Sequence, residues 1–90
     1  MAYKIVVDPN VNLDIIASIE WYNKAQPGLG IKFYKQVQSV FKSIRKNPFA
    51  FALRYKTTRT AIVLNFPFMV HYFIDDTRNT IVVIPLAHSL

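Results

Sequence analysis

The chain has 90 residues, 52% of them hydrophobic, with a formal net charge of +6, only two glycines and no cysteine. This describes one small folded domain spanning 1–90, too apolar for a disordered chain; the missing cysteines remove disulfides, thiolate catalysis and thiolate zinc sites, and two distant histidines give no metal centre. No apolar run approaches the roughly 20 residues of a membrane span, and MAYKIVVDPN lacks the plan of a signal peptide, so the expectation is a cytoplasmic protein with no cofactor and no metal.

Tyr3 to Val7 is β-rich, and Asp8-Pro9 then supplies an N-cap and a proline at the first helical position, where its missing N–H costs nothing. Val11, Ile15, Ile19 and Tyr22, with Ile16 beside them, recur at three- and four-residue spacing and predict a first helix ending near Lys24. The breaker Gln26-Pro27-Gly28 follows, and after Gly28-Leu29-Gly30 the residues Phe33, Val37, Val40, Phe41 and Ile44 repeat the pattern as far as Asn47-Pro48, with lysines on the opposite face. So short a connection makes the two helices an antiparallel hairpin.

Beyond Pro48 the period changes. Ala52 to Lys56, Thr60 to Leu64, Phe68 to Ile74 and Thr80 to Leu86 are short β-branched and aromatic runs separated by KTTR, NFP and DDTRN, which predicts an antiparallel meander. In the third run Phe68, Val70, Tyr72 and Ile74 share one face and Met69, His71 and Phe73 the other. Pro85 has no N–H for a ladder, so the last strand is expected at an edge or bulged near its end. The expected fold is therefore α+β: an N-terminal strand, an antiparallel helical hairpin, then an antiparallel β-meander forming one curved sheet.

Charge is unevenly placed. From Trp21 to Ile74 there are nine lysines and arginines and no aspartate or glutamate, a field that attracts a polyanion, whether nucleic acid or an acidic protein segment. Isolated helix lysines such as Lys24, Lys32, Lys35, Lys42 and Lys46 are ordinarily solvated surface.

Taken in order, the strand, the two helices and the meander, with WYNKAQPGLGIKFYKQV across the helical turn, Arg59 before a strand, FPFMVHYFIDD and a terminal VVIPLAH, resemble the RelE/ParE toxin superfamily. The likeness covers nearly the whole chain and leans toward ParE-like members, the plasmid stabilisation proteins. It implies the toxin of a bacterial type II toxin-antitoxin pair, wrapped by an extended, acidic segment of a cognate antitoxin. A ParE-like gyrase inhibitor or a weakened toxin is the first expectation. A RelE-like ribosome-dependent mRNA endoribonuclease is the alternative, and a non-toxic antitoxin- or nucleic-acid-binding module the second. The expected partners are thus the antitoxin and either DNA gyrase or the ribosome with its mRNA, with no membrane and with self-association open.

The site residues follow from the same comparison. RelE-type members are expected to hold a scissile phosphate with strand cations, which stabilise developing charge while other groups move protons. Here the corresponding strand positions carry Met69 and residues near Thr60 and Ile62, so cleavage is disfavoured and enzymatic activity is not the main expectation. Arg59 and His88 are the catalytic candidates that remain. His88 matches a family histidine, but no arginine-bearing tail follows it, which implies a weakened toxin or contacts elsewhere; a lone terminal histidine is also often unremarkable. Arg54, Lys56, Arg59 and Trp21 are candidates for binding the target or antitoxin, Arg59 having a structural hydrogen-bonding role as its equal alternative. His71 is expected to be a packed histidine satisfied by a neighbour. Trp21 and Tyr22 are expected to close the core, an exposed Trp21 being the alternative that would serve as a protein-binding anchor.

Overall fold

The computed structural model describes residues 3–85. Along them run β1 (Lys4–Val7), α1 (Pro9–Ala25), α2 (Leu29–Lys46), β2 (Leu53–Tyr55), β3 (Thr58–Ile62), β4 (Met69–Asp75), a 3-10 turn at Asp76–Arg78, and β5 (Thr80–Ile84). The α+β class and the two-helix, strand-rich plan are as expected. The sheet has the order β1-β5-β4-β3-β2. Strands β2 to β5 form the antiparallel meander, whereas β1 joins parallel to β5, with Lys4 opposite Thr80 and Val7 opposite Val83. The sheet is therefore mixed, because the chain leaves β1 through both helices and returns to its side only with the last strand.

Local chemistry explains the helix ends. The Oδ1 of Asp8 accepts from the Asn10 amide at 2.8 Å, and Pro9 occupies the first turn of α1. At the other end Gln26-Pro27-Gly28 turns the chain, with Gly28 at φ 88°, where a side chain would be strained. Two residues on, buried Gly30 lets the helices touch: its amide donates to Asn23 Oδ1 at 2.9 Å, and a Cβ there would collide with the Ile19 carbonyl oxygen and come within 2.7 Å of Asn23 Cγ.

The hairpin covers one face of the sheet. Val11 and Ile15 of α1, and Phe33, Val37 and Ile44 of α2, pack with Ala61, Val63, Val70, Tyr72, Ile81 and Val83 into a single core. Phe33 is its centre, with the rings of Tyr22, Phe66 and Phe68 at 5.1, 5.2 and 5.2 Å. The expected alternation in β4 holds: Val70, Tyr72 and Ile74 belong to the core, and Met69, His71 and Phe73 fall on the opposite side.

The strand limits differ from the sequence reading by one or two residues, β3 ending at Ile62 and not Leu64. β3 begins at Thr58, not Thr60, because Lys56 adopts a left-handed conformation (φ 50°) and the hairpin closes on Lys56-Thr57, with Tyr55 opposite Thr58. Nor does Pro85 make the last strand an edge or a bulge. β5 lies between β1 and β4, its ladder ends at Ile84, and the missing N–H falls past the paired stretch.

Candidate functional site

Arg59 is the second residue of β3, opposite Tyr72 of β4. Its Nη1 donates to the carbonyl oxygens of Phe51 at 2.6 Å and Phe49 at 3.2 Å, and its guanidinium carbon lies 5.3 Å from the centre of the Phe49 ring. Beside it, the Tyr72 hydroxyl donates to Pro48 O at 2.6 Å. Together these two side chains hold three carbonyls of the segment joining α2 to β2, a stretch with no ladder of its own. Burial pushes the Tyr72 phenol up to about 12, against a smaller opposite pull from Arg59. Tyr72 is therefore a neutral donor at physiological pH, and Arg59 serves as a clamp on the chain.

His71 sits on the face of β4 away from the helices yet is only 6% exposed. Its Nδ1 lies 3.1 Å from Thr60 Oγ1, the residue directly opposite in β3. Burial first, and the charge of Arg54 second, hold its pKa below the ordinary value of 6.5. It is a packed, neutral histidine with a cross-strand partner, as its apolar strand suggests.

Arg54 and Lys56 lie at the edge of the sheet. All three residues of β2 are exposed, the pairing with β3 is irregular between Leu53 and Tyr55, and the Lys56 ammonium stands 5.4 Å from the centre of the Tyr55 ring. This edge therefore combines two cations with the exposed apolar side chains of Leu53 and Tyr55 and backbone groups on one free side. Arg59 belongs to the same hairpin but is engaged by the 49–51 carbonyls.

Trp21 corrects the expectation that it closes the core. It is 66% exposed, edge-on to Tyr22 at 5.2 Å, while Tyr22 itself turns inward onto Phe33 and Phe66. It lines a shallow groove with Asp14, Ala17, Ser18, Tyr22 and Phe68. Leu13 and Ile16, 63% and 54% exposed, extend the apolar surface over the outer side of α1. Ile16, expected beside the inner apolar face, is thus exposed instead, and Leu13 was not singled out; the apolar positions of α1 exceed those of one helical face, and the signal was the surplus itself. The candidates thus fall on two surfaces, the β2 edge with Arg54 and Lys56 and the outer side of α1 with Trp21. His88 lies outside the described residues.

Among the described residues no cluster of histidine, aspartate and glutamate could hold a metal ion, and no helix is long and apolar enough to cross a membrane. A comparison with models of known protein families finds no match, and a search of curated proteins finds no similar sequence.

Proposed function

We propose that the chain is the toxin of a bacterial type II toxin-antitoxin pair of RelE/ParE type, held inactive by an acidic antitoxin segment. The observation that carries this reading is the outer side of α1. Leu13, Ile16 and Trp21 stand exposed on a helix whose other face already fills the core, so the molecule presents a ready surface for a second protein. An amphipathic antitoxin helix would cover it, with Trp21 as the anchor. The extended, acidic continuation would meet Arg54 and Lys56 and add to the open edge of β2. The motif series from WYNKAQPGLG to VVIPLAH and the succession of strand, helical hairpin and meander support the same family.

A non-enzymatic poison, a ParE-like gyrase inhibitor or a weakened toxin, is favoured over an endoribonuclease, because Arg59 is engaged by backbone carbonyls and Met69 occupies a cationic position of the nucleases. The test is growth after inducing this chain alone and together with the neighbouring small reading frame. Arrest relieved by the neighbour is the expected result; no arrest from well-expressed, folded protein would refute toxicity. Binding of the neighbour's product should weaken as salt rises, and a salt-independent affinity would refute the charge-matched arm.

A further inference from the structure

The outer line of α2 is unlike every other exposed surface described. The core residues Phe33, Val37 and Ile44 lie along one side of this helix. At 3.6 residues per turn, Lys35, Lys42 and Lys46 fall in a strip about 40° wide directly opposite them, running about 16 Å along the axis. All three lysines are exposed. Between them the exposed residues are Gln38, Ser39, Ser43 and Arg45, so no exposed apolar side chain interrupts the line from 35 to 46. Arg45 leans aside, its Nε donating to Tyr3 O at 3.4 Å.

The charge of this line is uncompensated. The one ion pair among the described residues joins Arg78 to Asp75, and no acidic residue occurs between Trp21 and Ile74. A protein partner would need apolar anchors to gain affinity; the exposed Ile31 and Tyr34 lie before the strip, and from 35 to 46 it offers none. Lysines interspersed with serine and glutamine are instead suited to phosphate oxygens, which require charge and simple donors, repeated, without pockets. We propose that the α2 strip binds the phosphodiester backbone of a nucleic acid without reading its sequence, at a surface separate from α1 and the β2 edge. The inference does not depend on toxicity or on an antitoxin.

The test is fluorescence anisotropy with a labelled DNA duplex of about 20 base pairs and mixed sequence, with the salt raised from about 50 to about 200 mM. Binding is expected to weaken roughly 20- to 40-fold over that range, the slope of about three released counterions. The triple variant Lys35→Gln, Lys42→Gln, Lys46→Gln should lose about tenfold or more at the lower salt and most of the slope, while retaining the wild-type circular dichroism spectrum. The control, Lys4→Gln, Lys24→Gln, Arg78→Gln, removes the same charge elsewhere and should lose less than about threefold. Equal losses in the two variants would overturn the placement on α2, and absence of binding at the lower salt would overturn the proposal outright. Displacement of the duplex by polyglutamate at equal charge would show that the strip takes any polyanion, an acidic protein included, and would overturn the choice of nucleic acid.

Discussion

The two helices of the hairpin share a core and differ in what they show to solvent. α1 turns Val11 and Ile15 inward and still exposes Leu13, Ile16 and Trp21. α2 turns Phe33, Val37 and Ile44 inward, exposes Ile31 and Tyr34 near its start, and from Lys35 onward exposes only lysines, serines, glutamine and arginine. The same packing geometry thus serves one helix with large apolar side chains among the polar ones on its outer side and one whose exposed apolar residues are confined to its start. Amphipathicity follows from folding alone, because a core-facing stripe and a solvated stripe suffice for it. The surplus on α1 does not follow from folding and is the stronger indication of a partner, while the charge on α2 specifies a different kind of ligand.

The comparison breaks most decisively where the helices touch. Gly30→Ala should push α2 off the Ile19 carbonyl and cost about 3 kcal/mol in urea unfolding, the upper range for overpacking. If the loss is under about 1 kcal/mol, the contact adjusts more easily than the geometry implies. Next comes the clamp beneath the hairpin. Arg59→Ala removes both donors to the 49 and 51 carbonyls and should cost about 2 kcal/mol, with faster proteolysis of the segment joining α2 to β2.

A smaller effect belongs to His71. Its folded pKa lies below the ordinary 6.5, so the folded state binds fewer protons than the unfolded one. Its contribution is present above pH 6.5 and is lost as pH falls through the lowered folded pKa. His71→Gln should flatten that part of the pH-stability curve, and an unchanged curve would show that other groups set the slope.

The smallest effect on stability is the most informative about α1. Trp21→Ala should change the unfolding free energy by less than about 0.5 kcal/mol, as for other exposed positions. If Trp21 is the anchor proposed above, the same substitution should weaken binding of the neighbouring gene product at least about tenfold. Comparable losses in folding and binding would instead return Trp21 to the core, its first sequence assignment.

Much of the fold was legible because its signals are local. Asp8-Pro9 marked the start of α1, Gln26-Pro27-Gly28 its turn, and the spacing of Phe33, Val37 and Ile44 the inner side of α2. The start of β3 was misplaced because KTTR is polar enough for a loop, while the left-handed Lys56 that tightens the turn is a residue type with no strong preference for it. Trp21 was misplaced because it was grouped with its neighbour Tyr22 as a large aromatic, although the periodic face of Val11, Ile15, Ile19 and Tyr22 already excludes it. The role of Arg59 was left open because its partners are main-chain carbonyls, present at every residue and so without a sequence signature.

The parallel pairing of β1 with β5 also bears on how the molecule is made. Lys4 lies opposite Thr80 and Val7 opposite Val83, so β1 finds its place only beside β5, more than 70 residues later in the chain. On a translating ribosome the helical hairpin has local contacts to form early, while β1 must wait, its ladder groups exposed, until β5 has emerged. Completion of the described sheet therefore waits for β5, and a chain stopped before Thr80 would leave β1 without a neighbour.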